Sequence, residues 1–530
     1  MLNTEKSNSV IISFAVSVIV VVSILSKFSF LLPIQIAIFL IMVLLLMYIV
    51  GSRKIRLNSY IITALIFLVF SCLSYINADF KTNVRDYLLV LSSSLMAGFS
   101  FSCLSADFKK KVFFVPVFIA LWLSMILFTR FITNIHGFFH GDNFYDAIAL
   151  NVNVIAGFLA LVYPLLFIFI REQKNTKVFI SIMLFVLLAI FLTRCRIVIL
   201  LSFISTIIFL LGYRKKTYIK FLISFCIILL IVGILYISFL KADFNSLSER
   251  IIWWKTAYLM FKEHILFGCG FGNYSVLFKA FRPELVLNTL FAHNIIVQLL
   301  AEVGVFGLFS FIVLISSFYI ELIKKILDDK DTFFYIYTAI SVTAFLIINL
   351  VDYSFFAPAN MLVFFIIFSS VFFTESIKEQ KWKNKLYFLI PVYFLIVAFF
   401  IRPIIADTCY KKGIDLYVAG HYKIAIEEFE KAIKFDKKNP EYYAQVSRTY
   451  FAIYDKMRNE TGQVYADKAV EYNKKAIDLY KYGAQLKESL AFIYWNNDKK
   501  EEALETMQEA IKYDKYNPYY EEEYYQIKNS

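Results

Sequence analysis

The sequence predicts an all-α, polytopic helical membrane protein of about 12–13 transmembrane helices with a C-terminal α-helical repeat domain. Three observations carry that prediction. Of 530 residues, 60% are hydrophobic and only 18% charged, and the mean hydropathy is +0.66, far from a soluble globular chain. Roughly the first 405 residues supply one apolar run after another, each about the 20 residues that a helix needs to cross a bilayer. After Arg402 the pattern turns abruptly charged and Tyr-rich, with a helical period. A soluble enzyme, a disordered chain and a secreted disulfide scaffold are excluded.

The first apolar run, 9–26, lacks a small-residue cleavage site and is followed by many more, so it reads as an uncleaved first helix. Further spans are expected near 28–50, 59–77, 87–104, 112–134, 147–170, 178–193, 196–212, 218–240, 293–320, 333–351, 359–374 and 386–405. Their orientation follows from alternate loops. The N-terminus and the loops 51–58, 106–111, 171–177, 213–220, 321–332 and 375–385 carry 21 Lys and Arg, against about 6 in the opposite short loops, and by the positive-inside rule the basic set is cytoplasmic. The long loop at about 241–292 then faces outward, and an odd span count puts the tail outside as well. The expected domains are a transmembrane unit, 1–405, and an extracytoplasmic repeat unit, 406–530.

From Lys411 onward 20 basic residues meet 21 acidic ones, so the +13 excess belongs to the membrane part, where 34 basic residues stand against 20 acidic. Those cations sit in short loops between spans, which points to membrane lipids as neighbours and not to nucleic acid. The six cysteines are scattered singly, without CxxC, so neither a metal site nor a disulfide framework is indicated.

The tail contains an internal repeat. GHYKIAIEEFEKAIKFDKKNP (420–440), AVEYNKKAIDLY (469–480) and KKEEALETMQEAIKYDKYNP (499–518) align on Ala432, Ala476 and Ala510, with spacings of 44 and 34. Small residues there let paired helices approach, and the Asn-Pro pairs at 439–440 and 517–518 end a unit. With Gly420, Tyr422, Ala425, Phe429, Ala432 and Pro440 in place, the first unit resembles a tetratricopeptide repeat, whose period is about 34 residues. Such repeats bind peptides or partner proteins along a concave face, so the tail argues for recruitment of a protein partner.

Polar residues near span ends need a structural partner or a function. On the expected outer face lie Asn151 and Asn153, Arg194 and Arg196, Arg250, His293 and Asn294, and Asp352. Guanidinium groups fork onto phosphate oxygens and are the expected receptors for an anionic headgroup, while a histidine at that level accepts a proton from a sugar hydroxyl. An isolated Arg at a span end more often snorkels to lipid headgroups, and a lone His capping a span is more often structural. GCGFGNY is read as a tight turn, because no strand precedes it and no phosphate-binding Lys follows. Glu302 reads as a hydrogen-bonding partner between helices.

The order of ALNVNVIAGFLALVYP, LTRCRIVILLSF, ERIIWWKTAYLMFKEHILFGCGFGNY and AHNIIVQLLAEVGVFGLFSF resembles the O-antigen ligase and O-antigen polymerase superfamily of bacterial membrane glycosyltransferases. Arg250, Trp253, Gly268, Gly270, Gly272, Asn273, His293, Asn294, Glu302, Gly304 and Gly307 fill the places of its motifs, over roughly residues 145–370. Cys195 departs from a usual Ser, and His264 from a common Pro; Arg196, directly after the Ser-like position, is favoured over Arg194 as the equivalent arginine. The resemblance implies a multi-pass protein of the bacterial cytoplasmic membrane that moves a glycan from an undecaprenyl-diphosphate-type carrier without metal, nucleotide sugar or other cofactor. His293, Arg250 and Arg196 would be catalytic, and Arg194, Trp253, Asn153, Asn273 and Asn294 would bind substrate. The acceptor would be a lipid, cell-wall or protein hydroxyl for a ligase, or another lipid-linked chain for a polymerase. The readings of another class are a transporter or flippase, which predicts two matching halves and charges in mid-span, and a membrane scaffold, which needs none of the outer arginines.

Overall fold

The structure, a computed structural model, describes residues 2–25, 31–55, 57–140, 151–172, 176–212, 244–328, 331–373, 376–379, 383–457 and 462–530. The membrane part contains α1 (Leu2–Leu25), α2 (Leu32–Ser52), α3 (Ser59–Leu73), α4 (Lys81–Ser102), α5 (Ala106–Thr133), the short α6 (Ile135–His140), α7 (Val152–Val162), α8 (Leu165–Glu172), α9 (Thr176–Leu192) and α10 (Arg196–Gly212). After the expected span near 218–240, which lies outside the described residues, come α11 (Phe244–Glu263), α12 (Tyr274–Phe281), α13 (Ile295–Leu327), α14 (Thr332–Ile348), α15 (Pro358–Phe368) and α16 (Lys383–Val418). Apart from a two-stranded antiparallel ladder, β1 (Arg53–Ile55) with β2 (Ser376–Glu379), the described elements are helical.

Among the described residues five helical segments, α7 and α8 counting together as one, are long and apolar enough to cross a membrane, and six more apolar helices are shorter, which makes this a multi-pass membrane protein. The bundle closes around α7 and α15, which are apolar on all sides because they have no lipid-facing or water-facing side. The Asn360 amide nitrogen of α15 is matched internally, donating to Val154 O and Ser354 O, both at 3.0 Å. α4 begins at Lys81, a turn and a half ahead of the apolar run, because Arg85 is held by Asp86 at 2.8 Å and Asp436 at 2.6 Å.

The two ends of the bundle differ. At one end the basic loops meet: β1 pairs with β2, Lys110 is 2.7 Å from Asp331, and buried Lys109 donates to Ser370 O at 3.0 Å and Phe372 O at 2.6 Å. The opposite end carries the turns 74–80, 193–195 and 349–357 and the segment 244–294. All of the basic loops that the sequence assigned to one side and that are described fall at the first end.

α16 runs without interruption from the apolar stretch into the charged tail, so its last turns serve as the first helix of the repeat array. Gly413 makes this possible, since a Cβ there would meet the Phe429 ring at 2.5 Å. The array continues through α17 (Tyr422–Phe435), α18 (Pro440–Met457), α19 (Gln463–Leu479), α20 (Ala484–Asn496), α21 (Lys500–Tyr513) and α22 (Pro518–Asn529), each packed on the next. Ala425, Ala432, Ala476 and Ala510 are fully buried where neighbouring helices approach. The array docks on the non-basic end of the bundle. Arg282 and Asp514 form a buried ion pair at 2.7 Å, Tyr482 Oη donates to Glu263 at 2.8 Å, Tyr480 Oη donates to Val276 O, and Lys481 is 3.7 Å from Asp79.

Candidate functional site

Two helix starts, one helix and one loop converge at the non-basic end. Asn151 caps α7 by accepting from Asn153 N at 2.9 Å, which fixes Asn153 at the helix mouth. The turn before α10 puts Arg194 in the left-handed region (φ 57°), swings its guanidinium over the Phe138 ring at 4.4 Å, and leaves Arg196 as the first helical residue. α11 contributes Arg250. The loop after α14 is pinned by buried Asn349, whose O accepts from Ile295 N at 2.8 Å and whose Oδ1 accepts from Phe355 N at 2.7 Å. Together these elements surround a cavity of about 290 Å³ lined by Asn153, Arg194, Cys195, Arg196, Ile197, Arg250, Val351 and Asp352. Three guanidiniums face one carboxylate there, so the cavity is suited to a polyanion.

His293 stands beside this cavity. Its backbone is left-handed (φ 54°), which a non-glycine residue adopts only when its surroundings impose it. The surroundings are aromatic: the Trp253 ring stacks on the imidazole at 4.6 Å and 25°, and Tyr353 meets it edge-on at 4.7 Å and 80°. Burial, with the positive charge of Arg250, pushes the imidazole down to about 4. Asp352 Oδ1 lies 3.9 Å from Nδ1, beyond hydrogen-bond length, and burial raises its carboxyl. With the ring neutral near pH 7 the contact is not an ion pair, and His293 has a free nitrogen lone pair for a proton.

The glycine motifs form one structural unit. The turn 264–273 inserts into a notch in α13 where Gly304 leaves helical geometry (φ 68°, ψ −170°). Cys269 N donates to Ala301 O at 2.9 Å, Gly270 N to Glu302 O at 3.0 Å, and Val305 N to Ile265 O at 2.9 Å. A Cβ on Gly268 would lie 2.3 Å from the Glu302 backbone, and one on Gly304 would lie 2.4 Å from Leu266 O. The buried Glu302 side chain accepts from Tyr274 N, at the start of α12, and from Gln298 Nε2 in its own helix, both at 3.1 Å, so it bridges α13 to α12 just after the turn, the link between helices expected from the sequence.

Of the residues the sequence singled out, Arg194, Arg196, Arg250 and Asn153 line one cavity, His293 lies against its Asp352 side, and Trp253 stacks on the imidazole. Asn273 and Asn294 do not line it. Asn273 is fully buried within the turn, donating to Cys269 O at 3.1 Å, and Asn294 caps α13 through Ile296 N and Val297 N. Trp253 is 9% exposed, with its Nε1 donating to Leu287 O at 3.3 Å, so it forms a wall behind the imidazole. Sequence reasoning put Asp352 on this side without a role, and it missed Tyr353 and Asn349; the signal was the polar cluster in INLVDYS, closing a span that is otherwise apolar.

Residues 180–312 match the family model described as O-antigen ligase, a stretch that includes Arg194, Arg196, Arg250 and His293. Comparison with curated proteins gives no match. Among solved structures the chain is similar to the first tetratricopeptide domain of Spaghetti (RPAP3) bound to an HSP90 peptide, at 18% identity and a TM-score of 0.21, covering 24% of this chain and 93% of that one.

Proposed function

We propose that this protein is a ligase-type, polyprenyl-diphosphate-dependent glycosyltransferase. It transfers a glycan from an undecaprenyl-diphosphate-type carrier to an acceptor hydroxyl at the outer face of the bacterial cytoplasmic membrane. The carrying observation is the convergence of Arg194, Arg196 and Arg250 on one cavity beside a neutral, rigidly packed His293, at the end of the bundle opposite the basic loops. The family match over residues 180–312 supports the same reading.

The reaction breaks the bond between the sugar's anomeric carbon and the diphosphate oxygen and forms a bond from that carbon to the acceptor oxygen. The diphosphate leaves with the electron pair, and negative charge grows where Arg196 and Arg250 supply positive charge, with Arg194 on the same wall. His293 takes the acceptor proton. With the diphosphate fixed by guanidiniums on one side, attack comes from the opposite face and the configuration inverts. Asn153 holds a carrier oxygen at the helix mouth, while Trp253 and Tyr353 keep the imidazole plane fixed. The C-terminal array is of tetratricopeptide type, extracytoplasmic, and recruits a protein or envelope acceptor.

A strain lacking the protein, complemented with Arg250→Ala or His293→Ala, tests this. Both variants are expected to lose surface glycan and to accumulate full-length lipid-linked chains. Accumulation of single repeat units assigns the protein to polymerisation, and normal glycan amount and length contradicts the transferase reading.

A further inference from the structure

A second, larger recess lies between α2, α3, α4 and α16, and it shares no lining residue with the arginine cavity. Its volume is about 930 Å³. Its depth is apolar, formed by Phe39, Leu46, Leu65, Leu89, Met96 and Phe400. It exists because α16 stands off the bundle: only 11% of the apolar window in its span Ile390–Val418 is buried inside the protein, and the Phe39 and Phe400 rings, 4.8 Å apart, bridge it to α2.

The mouth has the opposite character. Lys81, Arg85, Arg402, Lys437 and Lys438 ring it, with Asp436 as the acidic residue among the lining. Asp436 is committed to Arg85, which also binds Asp86. Among the described residues no carboxylate pairs with Lys81, Lys437 or Lys438; Lys81 lies over the Tyr75 ring at 5.6 Å, and Lys437 and Lys438 are exposed. The mouth is thus built jointly by a membrane helix and by the turn between α17 and α18 of the repeat array.

We propose that this recess binds an anionic phospholipid of the surrounding membrane, with its acyl chains along the apolar wall and its phosphate among Lys81, Lys437 and Lys438. Charge complementarity selects the occupant: a zwitterionic lipid brings its own cation to a mouth that already holds a surplus, whereas an anionic headgroup neutralises it. The lipid ties the repeat array to the bundle from the membrane side, as the Arg282–Asp514 pair does from the aqueous side.

The test is native mass spectrometry of the purified, delipidated full-length protein titrated with phosphatidylglycerol or phosphatidylcholine. The wild-type protein is expected to retain phosphatidylglycerol about thirtyfold more strongly, the preference that two lysines near a membrane surface supply. Lys437→Glu/Lys438→Glu should shrink the preference to within about twofold. Equal retention of the two lipids by the wild-type protein overturns the proposal without relying on any variant. An undiminished preference in the folded double variant removes the lipid from this recess, and so does an undiminished preference in Ser92→Trp, which fills the apolar wall without touching the charges.

Discussion

At the scale of single residues, the site depends on His293 being neutral and immobile. Its conformation is held by Trp253 and Tyr353 and its proton affinity is set by burial and Arg250. Removing a positioned base costs about 10²–10⁴-fold in rate, so His293→Ala should lower turnover by that factor while leaving carrier binding nearly unchanged, as read by separate binding and transfer assays. The sign of the pH effect follows from the depressed value. The imidazole is a base above about 4 and loses that role as pH falls through it, so the acid limb of kcat/KM belongs near that pH. Arg250→Gln removes a cation that favours the neutral ring, and the limb should move up toward the ordinary histidine value of about 6.5. A limb that stays in place in that variant contradicts the electrostatic link. The folded state binds fewer protons at His293 than the unfolded state does between those values. The residue's stabilising contribution is therefore complete above the unfolded value and is lost as pH falls toward about 4.

At the scale of elements, the decisive packing is the glycine turn in the notch of α13. Gly304→Ala adds a Cβ to a left-handed residue pressed against Leu266 O, and should destabilise the membrane part by about 2 kcal/mol or more, read as a lowered midpoint of thermal aggregation. Gly420→Ala serves as the contrast, since its φ is also positive but nothing lies within 4 Å of the added Cβ. Hydrophobic runs and loop charges made most spans legible, because a helix in lipid must satisfy its own backbone and leave its polar groups outside. Legible too were the arginines and His293, since ionisable residues at span ends stand out against an apolar background. The partner of His293 was not. Asp352 is about 60 residues away in sequence, and only the fold of the loop pinned by Asn349 brings it within 3.9 Å. Neither could the sequence distinguish motif residues that line the cavity from those that build its scaffold: Gly268 and Asn273 belong to the turn and Glu302 to the notch of α13 that receives it, and their spacing reports a backbone contact. Phe429, conspicuous in the repeat pattern, is a fully buried core residue against Gly413, so recruitment is better tested at Tyr443 and Tyr472, which line an open recess of about 550 Å³ on the array.

At the scale of the whole molecule, the array docks on the segment that carries Arg250. α11 presents Arg250 in its second turn and Glu263, the acceptor for Tyr482, at its C-terminal end, and Tyr482 packs in one apolar cluster with Trp253 and Met260. Removing one partner of a buried ion pair costs about 3–5 kcal/mol, so Asp514→Ala should loosen the array and lower transfer through α11, whereas a double change of Arg282 and Asp514 to apolar residues should restore much of the loss. Equal damage from the single and the double change, measured as thermal midpoint and turnover, contradicts that coupling. The same docking fixes the array and the arginine cavity on one side of the membrane. In a background without the native cysteines, Glu505→Cys on exposed α21 should react with a membrane-impermeant maleimide in intact cells; labelling only after lysis reverses the orientation of both. The central claim is that guanidiniums hold a lipid diphosphate while His293 accepts the acceptor's proton. Its most direct test is single-turnover transfer by purified protein in liposomes from a lipid-diphosphate-linked glycan, with release of the free lipid diphosphate measured. Release is expected with the wild-type protein, with weakened donor binding in Arg196→Ala and Arg250→Ala and retained binding without release in His293→Ala; undiminished release in all three contradicts the account.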